Sequence, residues 1–379
     1  MDVADRGSDD NDERSTRTSL AIVHDYLTQR GGAERVALEI AEAFPGAPVH
    51  TSLYDPPATF PGFACHDVRT LPIDRVALLR AHHRLAFPLL APSFSALRID
   101  ADVAVCSSSG WAHGARASGR KVVYCHSPAR WLYQTTRYLG ERGQLARSPV
   151  AAAGVPLRAW DRRAALSAHR YLVNSSVVRE RVRAAYGIDA EILPPPPGID
   201  AAGPEAAVPG LDAGFVLCVS RLLAYKNVDA VVEAFARLPG ERLVVAGAGP
   251  LLEPLRRSCP TNVVLLGAVT EPQLRWLYRS CAALVAASYE DFGLTPIEGL
   301  LYGKATAALR FGGFLDTIRE DETGVLFDEP RPDEIARALQ RLLHDQPAPA
   351  DIAAQAERYS RERFVARIRA VVDEELAAR

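Results

Sequence analysis

The stretch CAALVAASYEDFGLTPIEGL, Cys281 to Leu300, decides how this chain folds. An apolar run, CAALVAA, breaks at Ser288 into an acidic turn that holds a glycine, and a helix start follows at Thr295-Pro296. A run that is apolar on consecutive positions suits a strand buried on both faces, the condition inside a parallel sheet covered by helices. Threonine is a good N-cap and proline is tolerated at the first helical position, so the segment reads strand, turn, helix. Glu298 stands three residues after Thr295, where it reads as the glutamate half of a capping box. That reading leaves Glu290 unexplained.

The same strand-to-helix pattern recurs on both sides of this stretch. In the first half the strand candidates are SLAIVHD (19–25), DVAVCSS (102–108), KVVYCHS (121–127) and RYLVNSS (170–176). In the second half they are FVLCVSR (215–221), RLVVAGAG (242–249), VVLLGAV (263–269) and AALVAAS (282–288). Right-handed crossovers gather the loops that leave such strands at the carboxyl edge of the sheet, where ligands bind. The halves are divided by ILPPPPGIDAAGPEAAVPG (192–210), whose four consecutive prolines fit neither a helix nor a central strand. The expected class is α/β, with two Rossmann-like domains facing each other across a cleft. The expected order is a disordered acidic tail over 1–17, a first domain over 18–191, the proline-rich linker over 192–210 and a second domain over 211–355. An amphipathic helix over 356–379 ends the chain and is free to pack back on the first domain.

Bulk properties narrow the function. At 379 residues the chain exceeds one ordinary core, and it is 48% hydrophobic and 24% charged, a soluble globular composition. The formal net charge of -2 gives no overall electrostatic reason to expect a nucleic-acid partner. The six cysteines form no CxxC pair and read as reduced thiols, four of them in or beside apolar runs. The N-terminus lacks the apolar segment of a signal peptide, so a cytoplasmic protein is expected. No window is apolar for long enough to span a bilayer. The segment RVALLRAHHRLAFPLLAPSFSALR (75–98) mixes apolar residues with arginines. It reads either as a helix covering the first sheet or as a surface resting on an anionic membrane, at the inner face of the plasma membrane.

Two further stretches carry chemistry. In VSRLLAYKN, Arg221 and Lys226 follow a strand; a guanidinium and an ammonium at a sheet edge can neutralise a diphosphate. In AGAGPLLEPL (246–255) a glycine turn joins strand to helix, a weak signal because the full G-x-G-x-x-G spacing is missing. Asp100-Ala101-Asp102 precedes a strand instead of ending one, which favours a structural role over a metal site. His82-His83 has no third ligand at useful spacing. His24 and Asp25 end the first strand and read equally well as cleft lining or as a satisfied loop pair.

Taken together and in order, these segments resemble the nucleotide-sugar domain of retaining family 4 glycosyltransferases, which have the GT-B fold. The resemblance runs through SRLLAYKN, GAGP, LGAV, YEDFGLTPIEGLLYGK, GGFLDTI (312–318) and TGVLF (323–327). In the first half, HDYLTQRGGAERV (24–36) resembles that family's glycine-rich loop, and CSSSGWAHG (106–114) with YCHSPARWLY (124–133) resembles a mannosyltransferase-type subgroup. The resemblance implies that Arg221 and Lys226 hold the leaving diphosphate, that Glu298 binds the ribose hydroxyls and that Glu290 faces the hexose. His126 would contact the sugar near the reacting centre. Gly31 and Gly32 would let the first loop approach phosphates or acceptor, and backbone around Phe292, Gly293, Leu294 and Thr295 would support sugar and phosphate. Gly247 and Gly249 would form the turn beneath the nucleotide. Ala248 and Asn227 stand where relatives carry other polar or basic residues, which puts a side-chain contact at 248 in doubt.

The reaction so implied moves a hexose, mannose from GDP-mannose by the subgroup resemblance, to a glycan or lipid-linked acceptor. It needs no metal and no cofactor, since the nucleotide-sugar is a substrate. Two other readings stand beside it: a sugar-nucleotide epimerase or hydrolase on the same scaffold, and a non-catalytic sugar-binding protein of two α/β domains.

Overall fold

The computed structural model describes residues 19–134 and 147–378, so the tail expected over 1–17 lies outside them. The first domain is built on strands β1 (Leu20–His24), β2 (Val49–Thr51), β3 (Val68–Thr70), β5 (Val103–Ser108), β7 (Arg120–Cys125), β8 (Arg170–Val173) and β9 (Glu191–Ile192). They pair in the order β3-β2-β1-β5-β7-β8-β9 and every pairing is parallel. Two short strands, β4 (Arg98–Ile99) and β6 (Arg116–Ala117), pair separately. The second domain carries β10 (Val216–Val219), β11 (Leu243–Ala246), β12 (Val263–Gly267), β13 (Ala283–Ala286), β14 (Thr306–Leu309) and β15 (Gly324–Phe327). Their order is β12-β11-β10-β13-β14-β15, again parallel throughout.

Both orders reverse direction once, between β1 and β5 and between β10 and β13. Loops leaving strands on either side of such a reversal part company, and the crevice between them is where a doubly wound sheet takes its ligand. The opening quotation now has its place. Residues 283–286 form the central strand β13, buried along its whole length, and the acidic turn emerges at the second reversal.

The proline connection is firmly tied at both ends. Tyr124 Oη donates to the Leu193 carbonyl at 2.8 Å, and Ile199 is buried in the second domain's core. Arg275 Nε donates to the Asp200 carbonyl at 2.6 Å. The edge strand β9 carries the first domain's sheet through Ile192, the first residue of the expected linker. At the far end, Tyr359 is still buried in the second domain's core, and the last helix, Arg361–Ala377, begins only beyond it.

That helix crosses back to the first domain. Phe364, Ile368, Val371 and Val372 recur at the i, i+4, i+7, i+8 spacing of one helical face. They are buried against Ile22, Val36, Val105 and Tyr124. Arg361 anchors its start on Glu39 at 2.6 Å, and Arg367 pairs with Glu191. Phe364 is 2% exposed, so Phe364→Ala leaves a large void and is expected to cost about 3–5 kcal/mol of unfolding free energy, read by urea denaturation.

Candidate functional site

A cleft of ≈ 590 Å³ lies between the carboxyl edges of the two sheets. Its second-domain wall comes from three loops. After β10, Arg221 Nη2 lies 3.2 Å from Tyr225 Oη, and Lys226 follows a short turn. Asn227 holds that turn in the left-handed region at φ 51, which asparagine tolerates, while its Nδ2 donates to the Ala287 carbonyl at 2.8 Å. The residue that departs from the family pattern thus ties the basic loop to the end of β13.

After β11, Gly247 turns at φ 146 with its Cα against β10's outgoing backbone, since a Cβ there would sit 1.9 Å from the Ser220 carbonyl oxygen. Gly249 packs in the same way on Leu222 and lies outside the cleft lining. The two glycines serve the approach of one loop to another, and only Gly247 reaches the cleft.

After β13 come Glu290 and Glu298. The Lys226 ammonium donates to the Glu290 carboxylate in a largely buried ion pair, and Ser288 Oγ donates to the same carboxylate at 3.1 Å. The helix begins at Leu294, two residues earlier than read from the sequence, with Gly293 at φ 83 as its N-cap. Thr295 makes no cap hydrogen bond; its Oγ1 lies inside the first turn and donates to the Val219 carbonyl at 3.3 Å. The capping box therefore does not form. Glu298 accepts instead from the Gly198 N–H at 3.2 Å and from Tyr278 Oη, and burial lifts its carboxyl above the usual range against those two bonds. A carboxylate has about four lone-pair directions, so it keeps capacity for a ligand hydroxyl.

The first-domain wall is aromatic and histidine-bearing. His126 is buried with its Nε2 2.8 Å from Ser107 Oγ, and Ser107 Oγ also lies 3.0 Å from His24 Nδ1. Burial, helped by His24 and Arg130, lowers His126 to about 3, and burial lowers His24 to about 4. Both rings are neutral at neutral pH, so His126 can contact a ligand but cannot supply positive charge to a phosphate. Asp25 lies outside the cleft lining; it accepts the N–H groups of Ser109 and Ala112, both at 2.6 Å, and of Trp111 at 3.2 Å. Burial raises it to about 6 in spite of those bonds. His24 and Asp25 are thus a satisfied loop pair, and the loop they shape presents Trp111 to the cleft, stacked on Trp131 with ring centroids 4.8 Å apart.

Of the residues singled out in the sequence, the cleft gathers Gly31, Gly32, His126, Arg221, Lys226, Gly247, Glu290, Phe292, Gly293, Leu294, Thr295 and Glu298. It also holds residues that the sequence reading passed over. Asp291 is clamped by two first-domain guanidiniums: Arg130 at 2.5 Å to one carboxylate oxygen and Arg181 on the other. Burial alone would raise the Asp291 carboxyl, but the two arginines outweigh it and hold it below the ordinary range. Asp291 and Arg130 both stand inside quoted motifs; Arg181 carries no local signal. Asp102 accepts from Ser19 N–H at 2.7 Å and Asp100 from Ser118 Oγ at 3.0 Å, both away from the cleft.

Two parallel α/β domains facing one cleft are the GT-B architecture of glycosyltransferases. Residues 30–202 match the model Glycosyltransferase Family 4 and residues 206–359 match Glycosyl transferases group 1, and the chain belongs to this GT-B type. A GDP-mannose-dependent alpha-(1-6)-phosphatidylinositol monomannoside mannosyltransferase of Mycobacterium tuberculosis is 28% identical over 199 residues, 45% of this chain and 51% of that protein. A D-inositol 3-phosphate glycosyltransferase of Mycolicibacterium paratuberculosis is 34% identical over 169 residues, 41% of this chain and 38% of that one. The chain spans about half or less of the length of the curated relatives it matches. Among solved structures, sucrose-phosphate synthase from Thermosynechococcus elongatus superposes with a TM-score of 0.69 at 17% identity, covering 96% of this chain and 100% of that one. Anabaena HepE with UDP and glucose gives 0.66 at 18% identity, with the same two coverages. At these identities the superpositions establish the fold.

Proposed function

We propose that the chain transfers a hexose from a nucleotide-sugar, mannose from GDP-mannose, to a hydroxyl of a glycan or lipid-linked acceptor with retention of configuration. The observation that carries the reading is one cleft in which Arg221 and Lys226 stand beside Glu290 and Glu298 at the reversal point of the second sheet. A departing nucleoside diphosphate gathers negative charge as the sugar becomes oxocarbenium-like. Fixed cations aimed at it lower that barrier most effectively in a site partly screened from water. Lys226, already held on Glu290, would be shared with the diphosphate, leaving Glu290 turned to the hexose hydroxyls. Glu298 would take the ribose. Arg221 and Lys226 then fill the role that a divalent ion fills in other transferases. In this scheme the leaving phosphate takes the acceptor's proton on the same face of the sugar, so no side chain is assigned as general base.

The likeness to the mycobacterial mannosyltransferase supports GDP-mannose as donor. A place at the membrane surface is part of the proposal. Over residues 75–96, which hold helices Ala77–Ala81 and Phe87–Ala96 and the turns beside them, Leu79, Leu90 and Phe94 are buried, whereas Val76, Leu78, Leu85 and Leu89 are exposed among Arg75 and Arg84. One face covers the sheet, and the other has the basic and apolar mix that suits an anionic lipid surface. Among the described residues no helix is long and apolar enough to cross a membrane.

The test is calorimetry and turnover with GDP-mannose against UDP-sugars, with and without EDTA. The expected result is binding of GDP-mannose and transfer that survives EDTA with the anomeric configuration kept. Donor breakdown at full rate without acceptor would instead support a hydrolase, and no heat from any nucleotide-sugar would defeat the assignment.

A further inference from the structure

Glu34 is 2% exposed, yet it lines the cleft from the first turn of helix Gly32–Ala43. One carboxylate oxygen accepts from Gln29 Nε2 at 2.8 Å; the other is buried with no hydrogen-bond partner among the described residues. A buried carboxylate oxygen left unpaired is costly, and native proteins rarely keep one without a use. Its surroundings indicate the use. The glycine loop abuts the donor half of the cleft: a Cβ on Gly32 would lie 3.6 Å from Leu294 Cδ1. Across the opening, Arg221 acts electrostatically on Glu34, and Phe87 and Trp131 supply half-buried aromatic surface on Glu34's own side. An aromatic wall with one convergent polar group is how pockets grip a ring that has an apolar face and hydroxyl edges.

Resting on the transferase reading above, we propose that Glu34 accepts a hydrogen bond from a hydroxyl of the acceptor and that the acceptor moiety seated here is an uncharged sugar ring, not a phosphorylated one. A carboxylate in this position accepts a hydroxyl's hydrogen bond on its unpaired oxygen and repels a second anion. Burial, with a smaller push from the Asp25 charge, raises the Glu34 carboxyl to about 7, against Gln29, its own backbone N–H and Arg221, so a substantial share is ionised at neutral pH. The purely structural alternative is an acidic residue in a first helical turn that complements the helix dipole. It predicts a stability effect without ligand selectivity.

The test uses the full chain saturated with GDP and two probes, octyl α-mannoside and mannose 6-phosphate, followed by saturation-transfer NMR. The wild type is expected to bind the neutral glycoside and to disfavour the phosphate by about tenfold or more, the scale of one hydrogen bond to a charged group. Glu34→Gln is expected to weaken the glycoside by about tenfold and bring the two probes within a few-fold of each other. GDP affinity and melting temperature should stay unchanged. The proposal is overturned by equal binding of both probes to the wild type, by no binding of the glycoside, by an unchanged probe ratio in the variant, or by a variant that loses stability and GDP together. Failure of the wild type to bind GDP or any nucleotide-sugar refutes the transferase reading separately, since the probe measurements can be repeated without nucleotide.

Discussion

Lys226→Ala is expected to lower the rate of sugar transfer by about 100-fold to 1000-fold, the loss measured when one preorganised charge-stabilising group is removed from an active site. The side chain is well placed to matter. Its ammonium is largely buried, fixed on Glu290, and stands over the Tyr225 ring at 5.1 Å. Charge held in such a place needs no reorganisation when a phosphate becomes more negative. A second account must be separated from this one, because the substitution also strands Glu290 without its cation, and an unpaired buried carboxylate perturbs a site by itself. The double variant Lys226→Ala with Glu290→Gln, read against Glu290→Gln alone because Glu290 is itself assigned to the hexose, decides between them. If Lys226 stabilises the leaving group, neutralising Glu290 restores nothing and kcat stays low. Recovery of most of the activity would mean that the lysine serves only to balance Glu290, and the assignment of the diphosphate to it would fail. Coupling between the two sites, read from the full cycle, measures how far they act as one unit.

Why these cations were legible in the sequence and others were not follows from where each signal lies. A parallel sheet sends its functional loops out at strand ends, so a buried apolar run followed by charged residues marks both the strand and the loop. Arg221, Lys226, Glu290 and Glu298 all sit within ten or so residues of β10 or β13, and the eight strands read from apolar runs are all present. Gly324–Phe327, GVLF, is apolar but enters only as a quoted motif; the other strands that escaped notice lack such runs. Thr306–Leu309 is TAAL, dominated by alanine, which carries little strand preference; it is a strand because β13 and β15 flank it and bury it. Three-residue β2 and two-residue β9 are too short to show any period.

The misread helix start shows local signals competing. Thr295-Pro296 and Glu298 spell a capping box, but tertiary contacts claimed each group. Val219 took the threonine hydroxyl, and the proline connection brought the Gly198 N–H to the glutamate. Nothing local to 295–298 could announce a partner one hundred residues upstream. Glu34 and Asp291 were hidden for the same reason. Each lies inside a quoted motif, yet what distinguishes it, an unsatisfied oxygen in one case and two arginines from the other domain in the second, exists only after the chain has closed on itself.

Asp291→Asn is expected to loosen the two domains from each other while leaving each core intact. Asp291 is 5% exposed and occupies the turn between Glu290 and Phe292, so the groups that join the domains and the groups that line the cleft are consecutive residues. Ser175 Oγ donates to the Asp291 carbonyl at 2.5 Å, and Ser176 adds bonds of 2.7 and 2.6 Å to Asp316 from the same first-domain loop. Removing one partner from a buried ion pair costs about 3–5 kcal/mol, chiefly because the remaining charge stays buried. Here Arg130 and Arg181 escape that cost by moving into solvent, which requires the domains to part. At 1.4 kcal/mol per decade, the joined arrangement then loses about two to three powers of ten against the parted one. Small-angle scattering should therefore show a larger radius of gyration, and transfer should fall, with the unfolding transition of each domain little changed. The sign of the acid response follows from the depressed carboxyl. Its folded pKa lies below the unfolded value, so the clamp holds fully above the ordinary carboxylate range and is lost as pH falls through the folded value. The wild type should consequently expand only in acid, and the asparagine variant should be expanded at every pH. An unchanged radius of gyration in the variant at pH 7 would show that the proline connection and the returning helix hold the domains together by themselves, and that the clamp only fixes the course of the 290–293 turn.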